Sequence, residues 1–340
     1  MINYESSGVN LQAADSIKAQ ISRLVSSTYT DSVITKGNEF AGIIRLEGTN
    51  EAIAVSVDGV GTKLLVAIRM GVHNTVGEDL VNHCVNDIAV TGCNPLCFVD
   101  YISIGNVDEH VILELIDGLS RGCINNGVAL VGGETAQMPD IYKEGEYDLA
   151  GAIVGSVNPS DQLPRTDIKP GDVLVGKRSS GLHTNGYSLV RKIVFELNNW
   201  DVSTHCDDFG HTWGEELLAV HRSYLGFIKQ YRSSSGMKGF AHITGGGIPG
   251  NLSRILPEDV TAVVFKQTIP EVPIFHVLQD AGAIDEEEMF RVFNMGVGLI
   301  AVCSDTLAEE IVASAGNHSD TWILGEIVSR DESSAAVKLE

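Results

Sequence analysis

The stretch "GEDLVNHCVNDIAVTGCNPLCFVDYIS", residues 77–103, reads as a helix followed by a strand. If 79–90 is helical, Asp79, Asn82, His83 and Asn86 fall within about 100° of arc on one face, with Asp87 at its edge. Leu80, Val81, Cys84, Val85 and Ile88 fill the rest of the surface. The polar face is unlike a solvated one, because 79–103 contains no Lys, Arg or Glu, the residues that exposed helix faces favour. Short Asp and Asn form helices poorly but serve well as oxygen ligands for magnesium. The face therefore reads as functional, and its residue types suit a metal or a buried interface.

Outward from this unit the pattern repeats. Residues 10–26, 74–91 and 108–124 are helical in periodicity, and 52–57, 97–104, 127–131 and 148–157 are strand candidates. "NPSDQLPRTDIKPGD" (158–172), with three prolines, reads as a linker. Beyond it, strands are expected near 172–177, 239–243, 260–265, 297–302 and 321–327, and helices near 187–198, 212–230, 248–255 and 305–314. The 340 residues suit two α/β domains, 1–165 and 166–340. Chain order fits mixed sheets as well as doubly wound parallel ones.

The formal net charge of −22 argues against nucleic acid, since backbone binding needs a basic face. It leaves room for phosphorylated small molecules, provided a metal bridges carboxylates to phosphate. No apolar run is long enough to span a bilayer, and "MINYESSGVN" has no signal-peptide pattern. Six cysteines without C-x-x-C spacing read as reduced core thiols of a cytoplasmic protein.

Glycine-rich turns carry the remaining chemistry. "VSVDGVGTKLL" (55–65) ends a strand in Asp58, Gly59, Gly61, Thr62 and Lys63, which is not the P-loop spacing. An acid in front of an anion loop makes sense if the phosphate arrives with its metal. "LVGGETAQMPDIY" (130–142) runs a strand into glycines and Glu134, and "YDLAGAIVG" (147–155) adds Asp148. In the second half, "RSSGLHTNGYSLVRKI" (178–193) and "AHITGGGIPGNL" (241–252) are strand-to-helix junctions, whose free N–H groups favour anions. "FNMGVGLI" (293–300) brings Asn294 into a strand, and His183 and His242 lie inside the glycine-rich motifs.

These motifs, in this order from about residue 50 to 302, resemble the phosphoribosylformylglycinamidine cyclo-ligases, the aminoimidazole ribonucleotide synthetases of purine biosynthesis. The resemblance implies an N-terminal ATP-binding domain whose sheet pairs with its twin in a homodimer, and a C-terminal α/β domain that closes the site. The implied reaction is ATP-dependent closure of formylglycinamidine ribonucleotide to aminoimidazole ribonucleotide through an iminophosphate. On that resemblance Asp58, Asp79, Asp87 and Glu134 are expected around Mg2+. Gly59, Gly61, Thr62, Lys63, Asn82, Asn86 and Thr135 are expected to join them around ATP. Ser180, Gly181, His183, Asn185, Thr244, Gly245, Gly246, Gly247 and Asn294 are expected at the substrate, with Lys63 on phosphate and His183 and His242 as catalytic groups.

The chain departs from the family pattern in places. "TKGNEFAGIIRLEG" (35–48) carries only Gly37, Gly42 and Gly48, Val57 stands where the family has Thr, and Gly92-Cys93-Asn94-Pro95 replaces Gly-Ala-Glu-Pro. Val220-His221-Arg222-Ser223-Tyr224 replaces Pro-Thr-Arg-x-Tyr. Another ATP-using relative, or a catalytically silent nucleotide-binding paralogue, is the alternative reading. Selenophosphate synthetase is disfavoured because no Cys precedes Cys84, and thiamine-monophosphate kinase by the long second-domain match.

Overall fold

In the computed structural model, which describes residues 11–35, 37, 39–316, 320–331 and 334–340, two mixed sheets carry the helices. The first half contains α1 (Leu11–Ser26), β1 (Gly42–Arg45), β2 (Ala52–Gly59), α2 (Leu64–Met70), α3 (Asn74–Ala89), β3 (Asn94–Ile104), α4 (Glu109–Asn126), β4 (Ala129–Gln137) and β5 (Tyr147–Val157). Its sheet order is β1-β2-β5-β3-β4. All pairs are antiparallel except β3 with β4.

The second half contains β6 (Val173–Arg178), α5 (Tyr187–Arg191), β7 (His205–Cys206), β8 (His211–Thr212), α6 (Trp213–Leu217), α7 (Leu225–Tyr231), β9 (Met237–His242), α8 (Gly247–Leu252), β10 (Val260–Val264), α9 (Pro273–Gly282), α10 (Glu286–Val292), β11 (Val297–Cys303), α11 (Asp305–Ala315), β12 (Thr321–Ser329) and β13 (Val337–Leu339). Its six-stranded sheet runs β13-β10-β12-β6-β11-β9, antiparallel except for β10 with β13. The β7–β8 hairpin stands apart. The two α/β units with mixed sheets agree with the fold class expected.

The helix read from 77–103 is buried on every side: thirteen of the sixteen α3 residues are buried. Leu80 lies near Gly151 and Phe98, and Ile88 near Gly155, on the sheet. A second face meets α4 at van der Waals distance. A Cβ on Gly118 would come within 2.0 Å of the Asn74 carbonyl oxygen, so only glycine permits this approach. The third face, the polar one, meets the second half of the chain.

One expected helix is absent. Residues 212–230 form two short helices, α6 and α7, separated by non-helical residues 218–224. The α3 face supplies the reason. Asp79 Oδ1 accepts from the His221 N–H (2.6 Å), and Asn82 Nδ2 donates to the His221 carbonyl (2.7 Å). Asn86 Nδ2 donates to the Arg222 carbonyl (2.9 Å), while its Oδ1 accepts from the Tyr224 N–H (2.7 Å). Four backbone groups that a helix would pair internally are paired here by side chains, as burial demands. The helix expected at 187–198 also changes character, with α5 passing into a π-helical turn over Lys192–Leu197.

Candidate functional site at the seam between the two halves

A pocket of about 410 Å³ opens where the two halves meet. Its walls are the loop Asp58–Thr62 after β2, His83 of α3, the turn Thr184–Ser188 before α5, and Thr244 with Gly245 after β9. Three sequence-distant glycine motifs thus form one cavity. Thr62 Oγ1 and Ser188 Oγ, 3.1 Å apart, hold its two sides together.

Among the described residues the pocket holds one carboxylate, that of Asp58, with its side chain 37% exposed. Asp58 Oδ2 lies 2.7 Å from His83 Nε2, and Oδ1 accepts from the Gly59 N–H at 2.7 Å. Burial alone would raise the Asp58 carboxyl, but the charge and hydrogen bond of His83 and the Gly59 N–H outweigh it and hold it low. Burial alone would lower His83, yet Asp58 and Asp87 push it up to about 9. The wall therefore carries a fixed carboxylate–imidazolium pair at neutral pH. Asn185 Nδ2 is buried in this wall with no hydrogen-bond partner among the described residues. An unpaired buried donor costs free energy unless a ligand or water meets it.

Several expected site residues stand elsewhere. Lys63 is fully buried, and its Nζ meets Asp79 Oδ2 (2.7 Å), the Ala219 carbonyl (2.7 Å) and the His183 carbonyl (3.3 Å). Its three donors are thereby used, so it offers none to phosphate. Asp79, sealed against Lys63, does not reach a metal in the pocket. Asn82 and Asn86 spend their amides on residues 221–224.

Glu134 is likewise not grouped with Asp58. It sits on the edge strand β4, in register with Tyr101, Ala150 and Gly59 across three strand steps, or about 14 Å at ordinary strand spacing. Thr135 is its exposed neighbour on β4, and Asp148 is exposed on β5. The four acids expected around Mg2+ do not converge, because sheet order separates what the sequence pattern grouped.

Behind the pocket lies a buried polar layer. His242 Nδ1 pairs with Asp87 Oδ1 (2.8 Å), and its Nε2 lies 3.0 Å from His221 Nε2. His183 accepts from the Ser180 N–H at Nε2 (3.2 Å) and stacks on His221 with ring centroids 3.9 Å apart. His183 and His242 are 1% and 0% exposed, so neither touches the pocket, contrary to the direct catalytic role expected.

Asn294 uses its amide on Ser179, Gly181 and Gly296, which shapes the 179–181 loop rather than meeting substrate. Ser180 donates to the Val220 carbonyl (2.6 Å), and Gly181 is buried in the same loop. Gly246 and Gly247 both have positive φ, and a Cβ on Gly247 would lie 1.9 Å from the Phe290 carbonyl oxygen. These two glycines turn the chain behind Gly245. Asp58, Gly59, Gly61, Thr62, Asn185, Thr244 and Gly245 are the expected residues that the pocket brings together. His83 and Thr184 join them, and His221 backs the site. His83 lay on the noted polar face, and His221 lay in a noted departure; neither carried a site signal of its own.

The fold and this site define an AIR synthase-related protein. The N-terminal domain of that family ("AIR synthase related protein, N-terminal domain") matches residues 38–157, and its C-terminal domain matches 169–338. The chain belongs to the phosphoribosylformylglycinamidine cyclo-ligase family within it. It is 42% identical over 335 residues to the cyclo-ligase of Syntrophotalea carbinolica, covering 97% of this chain and 96% of that one. It is 40% identical over 341 residues to that of Thermodesulfovibrio yellowstonii, covering 99% of each. Among solved structures, thiamine-monophosphate kinase from Stenotrophomonas maltophilia K279a shares the fold at TM-score 0.62 and 16% identity, covering 94% of this chain and 95% of that one. The HypE–HypF complex gives TM-score 0.66 at 17% identity over 94% and 95%.

Proposed function

We propose that this chain closes formylglycinamidine ribonucleotide to aminoimidazole ribonucleotide at the seam pocket, with release of ADP and phosphate. The observation that carries the reading is the convergence of the Asp58–Thr62, Thr184–Ser188 and Thr244–Gly245 segments on one cavity. Relatives 40% or more identical over nearly the whole chain are cyclo-ligases. A structural neighbour, HypE, is known in complex with ATP.

ATP supplies the phosphoryl group that turns the poor-leaving formamide oxygen into phosphate, and the amidine nitrogen then displaces it. The residues supply positioning and charge compensation, which such transfer chiefly requires. The hydroxyls of Thr62, Ser188 and Thr244 and the Asn185 amide line a cavity of a size suited to a nucleotide-like ligand. Asp58 fits Mg2+, because its partly exposed carboxylate faces the pocket with only one partner on each oxygen. Mg2+ there would offset charge on the transferring phosphoryl group. The imidazolium of His83 beside it takes over the cationic role first expected of Lys63.

Homodimerisation is part of the proposal. On the outer face of the first sheet Val55, Val57, Val99 and Tyr101 are 40%, 67%, 38% and 40% exposed, an apolar patch of the kind that marks an interface. A second copy of the same sheet is its proposed occupant. A cytoplasmic location suits the six free thiols, and no helix among the described residues is long and apolar enough to cross a membrane.

The test is an assay with purified protein, Mg-ATP and formylglycinamidine ribonucleotide, following ADP and aminoimidazole ribonucleotide. ADP formed only when that substrate is present supports the reading. ATP binding without turnover would favour a silent nucleotide-binding protein.

A further inference from the structure

We propose that Thr184, His221, His242 and Asp87 form a hydrogen-bond circuit behind the pocket that holds the His83 ring on Asp58, which makes Thr184 and His221 positioning residues for the phosphoryl transfer. The use of His83 in that transfer rests on the cyclo-ligase reading. The circuit itself rests on the contacts alone.

The contacts run in series. His83 Nε2 lies 2.7 Å from Asp58 Oδ2, and its Nδ1 lies 2.8 Å from Thr184 Oγ1. Thr184 Oγ1 is 3.4 Å from His221 Nδ1. His221 Nε2 is 3.0 Å from His242 Nε2, and His242 Nδ1 is 2.8 Å from Asp87 Oδ1. Asp87 Oδ2 comes back to 3.7 Å from His83 Nε2, so the series closes on the ring where it starts. His183 packs flat on His221, with centroids 3.9 Å apart and planes 19° apart, and fixes the plane of that ring.

Proton accounting sets the direction of every link. A carboxylate accepts at each end, so His242 donates to Asp87 from Nδ1. Its Nε2 then keeps a lone pair, and the 3.0 Å contact requires His221 to donate from Nε2. His221 is left with a lone pair at Nδ1, toward which the Thr184 hydroxyl turns its proton. The Thr184 oxygen then accepts from His83 Nδ1, while His83 Nε2 donates to Asp58. The series closes only if His83 carries a proton on both nitrogens and His221 and His242 carry one each. Asn86 Nδ2, 3.3 Å from His221 Nε2 and 3.5 Å from His242 Nε2, brings a further donor and does not reverse the order. The charges agree: Asp58 and Asp87 push His83 up, and burial pushes His221 and His242 down.

The parts come from both halves of the chain. His83 and Asp87 stand one turn apart on α3, Thr184 precedes α5, His221 lies in the break between α6 and α7, and His242 ends β9. The circuit therefore exists only when the halves are docked. With both nitrogens held, the His83 ring cannot turn, and its charge stays beside the pocket carboxylate. A charge fixed in advance needs no reorganisation as the phosphoryl group passes. His221 is the member that departs from the family pattern, and a threonine in its place is too short to bridge Thr184 and His242.

The experiment combines NMR of the ligand-free full-length protein, labelled with 15N-histidine, with steady-state kinetics. At neutral pH the expected result is two ring N–H signals from His83, one from His221 Nε2 and one from His242 Nδ1. Thr184→Val removes the shared oxygen: the His83 Nδ1–H signal should vanish by exchange, and kcat should fall about 10- to 100-fold with KM for ATP little changed. Thr184→Ser should restore both. His221→Phe keeps a flat ring against His183 but no hydrogen bonds, and should lower kcat about 10-fold from outside the pocket. Circular dichroism checks folding, and the Thr184 pair carries the test if His221→Phe unfolds. A single N–H on wild-type His83, a His83 Nδ1–H signal unchanged in Thr184→Val, or wild-type turnover in folded His221→Phe would overturn the circuit. The expected signals in a protein that does not cyclise the substrate would uphold the circuit and count against the cyclo-ligase reading instead.

Discussion

Lys63 Nζ and Asp79 Oδ2 are 2.7 Å apart, and neither side chain has exposed surface. The ammonium also reaches across the seam to the carbonyls of Ala219 and His183. Burial pulls both groups toward their neutral forms, and each counters this in the other. Removing one partner strands a buried charge, which costs about 3–5 kcal/mol. Lys63→Met and Asp79→Leu should each destabilise by that order, and the double variant should fall short of the sum by about 2 kcal/mol. Urea unfolding of the three variants measures this coupling; strict additivity would mean that the pair is not the seam's electrostatic link.

Asp58→Asn tests the pocket carboxylate. Turnover should drop by about 100-fold or more, with the far-UV spectrum kept, because the side chain is 37% exposed. The same change should bring His83 down from about 9, which NMR titration of the ring would read. Near-wild-type turnover would remove Asp58 from the metal site.

The histidines make stability fall on both sides of neutrality. His83 is raised, so its contribution is complete below its ordinary 6.5 and is lost as pH rises through about 9. His183 and His221 are lowered by burial. Their contribution is complete above 6.5 and declines as pH falls below it, because the unfolded chain takes up protons they refuse. Thermal melts from pH 5 to 10 should show a maximum near neutrality. His221→Asn should flatten the acid limb specifically.

Two glycines of the same turn after β9 should behave differently. Gly247→Ala places a methyl 1.9 Å from the Phe290 carbonyl oxygen at φ +61, and should cost about 3 kcal/mol or more. Gly245 has no positive φ and only Asn185 Oδ1, at 3.2 Å, near its Cβ position. Gly245→Ala should fold normally but raise KM, since it narrows the pocket. Equal loss of stability in both would contradict the separation of turn from binding wall.

Val99→Asp should convert a dimer to monomers in sedimentation equilibrium. Val99 is 38% exposed on the outer sheet face, so the change should cost little in the isolated chain and much against a second sheet. An unchanged dimer would move the interface elsewhere.

Much of the fold was legible because periodicity reports burial directly. The strands over 52–59 and 297–303 and the helices α3 and α4 appear where alternation and 3.6-residue spacing put them. The absence of Lys, Arg and Glu from 79–103 announced a face that does not meet water. The expected helix over 212–230 failed, because its break comes from α3 side chains more than 130 residues away in sequence. No local propensity marks that competition.

By itself the sequence determined most of the elements, the two α/β units, and the glycine loops that meet at the pocket, since these follow from local backbone freedom and the period of apolar residues. Its acids looked equivalent in one dimension. Only the tertiary structure separated them: Asp58 into the pocket, Asp79 onto Lys63, Asp87 onto His242, and Glu134 to the sheet edge. A carboxylate's role depends on which charges and donors surround it after folding, and strand order together with the seam between the halves chose those neighbours.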